Sequence, residues 1–92
     1  MWFKLQDPGD AVPFAVMFYG DDNLPRRYVP GVGLVHWPSL ASYLFGGEIG
    51  AEPITRQEAL RLIRADVGRF PDGFDYSSEV GHSPPIPVPG MI

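Results

Sequence analysis

The 92-residue sequence contains no cysteine, which excludes a disulfide framework, a thiolate zinc site and a cysteine nucleophile. Stability therefore has to come from packing, although a chain of this length buries only about 60 to 65% of its unfolded surface. A cysteine-free chain is compatible with a reducing compartment. After Met1 to Leu5 the chain reaches Asp7 and Pro8, which leaves no room for the apolar region of a signal peptide. We therefore expect a cytoplasmic, soluble protein.

No stretch approaches the roughly 20 consecutive apolar residues of a membrane-spanning helix, so no membrane partner is expected. Basic residues are also scarce, with seven Lys and Arg against 11 Asp and Glu and a net charge of −4. Because phosphate neutralisation normally supplies the energy of nucleic-acid binding, this balance weighs against a direct nucleic-acid partner. An acidic antagonist of a nucleic-acid-binding protein stays open as an alternative, although the acids do not cluster along the chain.

Catalytic signatures are lacking as well. The two histidines, His36 and His82, do not have metal-ligand spacing, so neither a metal nor another cofactor is predicted. None of the serines lies in the G-x-S-x-G setting of an exposed nucleophile. These absences indicate a protein that is not an enzyme.

What the sequence does contain is enough apolar material for one folded domain, at 45% apolar and 13% aromatic residues. The clearest element is a helix over residues 56–67. Thr55 is a good N-cap, and Glu58 three residues later completes a capping box. The apolar residues of this segment share one side at about 100° per residue, and Gly68 is the predicted stop.

Apolar runs separated by turn formers predict strands. Trp2 to Leu5 is the first, and Phe14 to Tyr19 is an apolar, aromatic run typical of a strand covered on both faces. After a Gly-Asp-Asp-Asn turn, Arg26 to Val29 is expected to return antiparallel. Leu34 to Trp37 is either another short strand or a bulged continuation.

The predicted fold is therefore α+β. A small antiparallel meander of about three strands packs on the main helix and on a short helix over residues 39–45. Residues 48–53 are assigned to a connector. The aromatic residues of 70–76 are expected to fold back onto the core. From Ser77 the chain is proline-rich and extended, which divides it into a domain of residues 1–76 and a tail of residues 77–92.

The leading functional hypothesis is a small acidic module, an adaptor or inhibitor, that binds a larger protein through exposed aromatic residues or through its proline-rich end. Trp37, Tyr43 and Phe45 are the aromatic candidates, because a domain this small cannot bury every ring. Pro84, Pro85 and Pro87 are the tail candidates, because Pro84-x-x-Pro87 has the PxxP spacing of a stiff polyproline ligand. Homo-oligomerisation is left open.

A second hypothesis, from another class, is a small-ligand or enzymatic site built from Asp66, Arg26 and Arg27. Asp66 lies within the apolar arc of the predicted helix and near the negative end of its dipole. An acid in that place needs an arginine partner, for which Arg26, Arg27 and Arg69 are the candidates, or a frayed helix end. A pocket with convergent polar groups would favour this hypothesis over a flat apolar docking surface.

Overall fold

The computed structural model describes residues 1–7, 9–41 and 50–89. They form a fully antiparallel five-stranded sheet with strand order β4-β3-β2-β1-β5, and one helix, α1 (Arg56–Arg64), packs against it. The α+β prediction is therefore supported at the level of fold class. The strands are β1 (Trp2–Gln6), β2 (Ala15–Tyr19), β3 (Pro25–Val29), β4 (Gly33–His36) and β5 (Gly50–Ile54).

Both faces of the sheet are covered by packed side chains. Successive residues of a strand contribute to opposite faces, because their side chains alternate. In β2, Val16 joins a cluster that packs with α1, whereas Ala15 and Met17 belong to a second cluster. We call the first side the helix face and the second, which carries Trp37, the aromatic face. The continuous apolar run of β2 follows from this placement at the centre of a sheet covered on both sides.

The prediction of about three strands is wrong, since the sheet has five. All of β5 except Ile54 was assigned to a connector, because Gly-Ala-Glu-Pro-Ile has neither apolar alternation nor a β-branched run. Among the described residues its partner strand is β1, with Lys4 opposite Glu52, and these two side chains form a 3.5 Å ion pair. Pro53 is tolerated because β5 is an edge strand of the sheet.

The start of α1 agrees with the prediction. Thr55 has extended backbone angles, and its hydroxyl accepts a 3.1 Å hydrogen bond from the backbone N–H of Glu58. The Glu58 carboxylate in turn accepts hydrogen bonds from Arg61 one turn later. The helix ends at Arg64 and not at residue 67. The last helical residue lies four residues before Gly68, the predicted stop.

Removal of the Thr55 hydroxyl should destabilise the protein. Thr55→Ala leaves the Glu58 N–H without its acceptor and should cost about 1 kcal/mol of unfolding free energy in a urea titration. Thr55→Ser is the matched control, because it keeps the hydroxyl and should lie close to the wild type. Equal stability of the Ala and Ser variants would show that this cap contributes nothing.

The predicted extended tail is not a single extended segment. It begins with a 3₁₀ turn at Ser77–Glu79 and then follows β4. The Gly81 N–H donates to the carbonyl of His36, and Ile86 exchanges two backbone hydrogen bonds of 2.8 and 3.0 Å with Leu34. Val88 and Ile86 pack in the cluster that contains Trp2. The outer edge of β4 is thus covered by the chain's own segment, while the domain boundary at Ser77 stays a prediction.

The predicted short helix over residues 39–45 is described only at its start. There, Pro38–Leu40 forms a 3₁₀ turn with Leu40 buried on the aromatic face. Proline suits this position because its missing N–H would have no partner at the beginning of a helical turn. The rest of the predicted helix, with Tyr43 and Phe45, lies outside the described residues.

Candidate functional site

A stack of aromatic rings lies on the aromatic face, built by the chain that follows α1. Phe70 is nearly parallel to Trp37, with ring centroids 5.9 Å apart and an interplanar angle of 12°. Tyr76 lies 5.0 Å from Phe70 and 5.6 Å from Trp37. The expectation that this segment folds back onto the core is thus met by Phe70 and Tyr76, which are half-buried against the cluster, and is wrong for Phe74, which stays exposed.

The guanidinium of Arg27 packs among these rings. Its central carbon lies 4.4 Å from the Phe70 centroid, 5.2 Å from Trp37 and 5.9 Å from Phe14. A cation over aromatic faces is attracted by the ring quadrupoles, and partial burial strengthens this attraction. Arg27 thereby holds the rings in place from the side of the sheet.

Phe74 is the outermost ring of the stack. It is 53% exposed and lies 5.0 Å from Phe70 at an interplanar angle of only 7°. The turn before it fixes its position, because the Phe74 N–H donates a 3.0 Å hydrogen bond to the carbonyl of Pro71. The exposed ring is therefore held by stacking and by a closed turn, so little of its conformational freedom remains to be lost on binding.

A groove with a cavity volume of about 520 Å³ lies beside Phe74. It runs between the turn joining β3 to β4, the end of α1 and the loop after it. We call it the aromatic groove; its lining consists of Val29 to Gly31, Asp66, Arg69 to Phe74, and Tyr76. Its walls combine apolar rings with charged side chains, a combination typical of binding sites.

Three acidic side chains lie in or next to the aromatic groove. Asp66 is 3.6 Å from Arg69, in an exposed ion pair. Asp75 accepts a 2.9 Å hydrogen bond from the backbone N–H of Ser77, which lowers the pKa of its carboxyl below the usual value. Asp72 forms no ion pair within the part of the chain that the structure describes. Against these three acids stand Arg69 and the guanidinium of Arg27 in the ring stack, so the groups around the groove carry one more negative than positive charge.

Asp66 closes α1 with an unusual backbone conformation. Its φ is +58°, and the N–H groups of Asp66 and Val67 donate to the carbonyls of Ile63 and Leu62. This is a Schellman motif, and its left-handed position is normally a glycine. The carboxylate also acts on Tyr28, whose pKa is raised first by burial and second by the negative charge of Asp66. Asp66 thus keeps a charge at a position where local geometry favours glycine.

Replacing Asp66 by glycine should stabilise the fold. Asp66→Gly removes the steric cost of the left-handed conformation, which is worth about 1 kcal/mol for an L-residue. The lost ion pair to Arg69 is exposed and contributes little. The melting temperature should rise by about 4 to 8 °C, as 1 kcal/mol implies for a domain of this size. Asp66→Asn is the control with no expected gain, and a lower melting temperature of the glycine variant would contradict the prediction.

The three residues of the Asp/Arg hypothesis are not brought together. Arg26 and Arg27 are successive residues of β3 opposite Phe18 and Met17, which belong to the helix-face and aromatic-face clusters respectively. Arg26 is only 4% exposed and pairs with Asp22 at 2.6 Å. This hydrogen bond is the main reason that the pKa of the Asp22 carboxyl is lowered. Asp66 contacts Arg69, one of the arginines expected as its partner, although Arg69 was not part of the proposed ligand site.

The aromatic and proline residues predicted to bind a partner do not form one surface in the described structure. Trp37 is 5% exposed and belongs to the core, so its ring is not available at the surface. Pro84, Pro85 and Pro87 are exposed along the edge of β4, and Tyr43 and Phe45 lie outside the described residues. Sequence reasoning did not select Phe74. The available signal was the Pro-Asp-Gly turn before it, which indicates a surface turn but does not determine which of the flanking rings is exposed.

The described residues contain neither a metal-ligand cluster nor a membrane-spanning helix. Across residues 1–7, 9–41 and 50–89, no three His, Asp or Glu side chains converge as ligands for a metal ion. In the same ranges, no helix combines the length and the apolar character required for a bilayer span. No protein-family model matches the chain, and no curated protein or solved structure matches it either.

Proposed function

We propose that this chain is a non-catalytic protein-binding module and that its principal docking surface is the aromatic groove around Phe74. The observation that carries the proposal is the 53% exposure of a phenylalanine ring that is fixed in a stack and lies beside a groove of about 520 Å³. Rigid aromatic side chains next to a groove are typical of interface hot spots.

The Phe74 ring is ordered before a partner binds, and this preorganisation favours binding. Burying a phenylalanine ring contributes about 1.5 to 3 kcal/mol, and an already ordered ring offsets little of this with lost side-chain entropy. The acidic groups around the groove add orientation and a faster encounter with a positively charged partner. The net charge of −4 favours the same class of partner.

The proline-rich segment is the second surface in the proposal. Ile86 and Val88 pack in the helix-face cluster. Pro84 and Pro85, which precede Ile86, and Pro87, which lies between the two packed residues, are exposed. Such an arrangement presents a stiff polyproline ligand without the entropy cost of ordering a free tail. We place the protein in the cytoplasm as part of the same proposal, on the basis of its cysteine-free sequence.

The experiment is an affinity capture from native lysate with the full chain and three variants. Phe74→Ala removes the exposed ring, Pro84→Ser with Pro87→Ser removes the exposed prolines but keeps Ile86 and Val88, and Val12→Ala removes an unrelated exposed apolar side chain. We expect a partner that the wild type and Val12→Ala retain in equal amounts and that Phe74→Ala retains at least tenfold less.

Purified partner and chain should then reproduce the same ranking in a binary titration. A partner lost only from the proline variant would assign binding to the C-terminal segment. Retention of every partner by all three variants would contradict the proposal. The melting temperature of each variant shows that a loss of binding is not a loss of folding.

A further inference from the structure

We propose that the aromatic groove recognises an arginine side chain of its partner, with the guanidinium stacked on Phe74 and paired with a groove carboxylate. This inference rests on the proposed function, because it names the chemistry of the partner at the same surface. It follows from three observations: the packing of the chain's own Arg27 in the stack that exposes Phe74, the acids of the groove, and the backbone conformation of Asp66.

The first observation is that the aromatic stack already binds one guanidinium. Arg27 lies 4.4 Å from the centroid of Phe70. Phe74 is parallel to Phe70 within 7° and belongs to the same stack, but more than half of it is exposed. A partner guanidinium on Phe74 would make, at the surface, the same cation–π contact that Arg27 makes with the half-buried Phe70. Such stacking is a property of arginine more than of lysine, because the guanidinium is planar and weakly hydrated.

The second observation concerns charge. Asp72 lies between Pro71 and the exposed ring, lines the groove, and makes no ion pair with any residue that the structure describes. Asp66 also lines the groove, and Arg69 already contacts it. An arginine that stacks on Phe74 can donate in-plane hydrogen bonds to a carboxylate at the same time.

The third observation is the backbone at Asp66. An aspartate in the left-handed position of the helix end costs stability that a glycine would not cost. Asp66 lines the groove, so its carboxylate contributes to the charge there. A negative charge at this place favours a cationic ligand.

The test is an NMR titration of the ¹⁵N-labelled full chain with four capped pentapeptides, in which glycines surround Arg, Lys, citrulline or Leu. Citrulline keeps the planar shape of arginine without its charge, and leucine keeps only apolar character. We expect the arginine peptide to shift the amide signals of Gly73 and Phe74 saturably. Its dissociation constant should be at least fivefold lower than that of each other peptide.

Variants then assign the contacts. Phe74→Ala should weaken the arginine peptide at least tenfold, and Asp72→Asn should weaken it about threefold to tenfold. Asp21→Asn, an exposed acid in the turn between β2 and β3, is the matched control and should leave the affinity unchanged. Raising the salt concentration should weaken binding to wild type more than to Asp72→Asn, because the ion pair is screened.

Equal affinity for the leucine and arginine peptides would overturn the inference, and so would an Asp72→Asn variant with wild-type affinity. Absence of saturable binding of the arginine peptide would overturn it as well. A partner captured through Phe74 under those conditions would leave the proposed function intact, so the two failures are distinguishable.

Discussion

Replacing Trp37 by alanine should cost the protein about 3 to 5 kcal/mol of unfolding free energy, as expected for a buried tryptophan. The ring is only 5% exposed and contacts Phe70, Tyr76 and the guanidinium of Arg27. Its removal leaves a cavity on the aromatic face and takes away a support of the ring stack. Because small domains are stable by only about 5 to 15 kcal/mol, a large share of the total would be lost.

Urea unfolding followed by circular dichroism measures this effect, and Phe74→Ala is the matched control. That variant truncates another ring of the same stack, but the ring is 53% exposed, so its loss should cost about 1 kcal/mol or less. Trp37 should thus control stability, whereas Phe74 should control binding. Similar destabilisation by the two substitutions would contradict the assignment of Trp37 to the core and of Phe74 to the surface.

Gly33→Ala should destabilise the protein by about 2 to 4 kcal/mol and release the C-terminal segment from β4. Gly33 has a φ of +121°, which side chains rarely adopt, and an added Cβ would lie 2.6 Å from the carbonyl oxygen of Ile86. The two backbone hydrogen bonds between Leu34 and Ile86 could not persist beside it. Strain and the loss of this pairing therefore act together.

Gly31→Ala separates the two causes. Gly31 also has a positive φ, of +83°, but no atom lies within 4 Å of an added Cβ. It should show only the conformational cost of about 1 kcal/mol. Hydrogen exchange of the Ile86 amide, followed by NMR, is the second measurement. Exchange should accelerate in Gly33→Ala and not in Gly31→Ala, and protection of Ile86 in both variants would contradict the prediction.

The segments that were predicted well depend on neighbours in sequence. The cap of α1 involves Thr55 and Glu58, which are three residues apart, and an apolar run is sufficient to indicate β2. The true helix end was missed because glycine is the usual stop, and Asp66 adopts the left-handed conformation two residues earlier. An aspartate tolerates that conformation, but its sequence context gives no sign that it will do so.

The parts that were missed depend on contacts between distant residues. β5 is a strand because β1 offers it a partner, and its own composition would not make it one. The C-terminal segment has a fixed place because Leu34 supplies backbone hydrogen bonds and the helix face accepts Val88. Likewise, two adjacent arginines cannot share a site once strand alternation sends them to opposite faces.

The sequence by itself therefore determined the α+β class, the start of α1, the positions of β1 to β3 and the acidic character of the chain, because these follow from local pairs, periodicity and composition. The tertiary structure decided the five-stranded order, the cover on the edge of β4 and the identity of the exposed ring. Trp37 and Phe74 are both aromatic residues near turns, and no local rule distinguishes them. Only the packing of the loop after α1 against the sheet buries one ring and leaves the other at the surface.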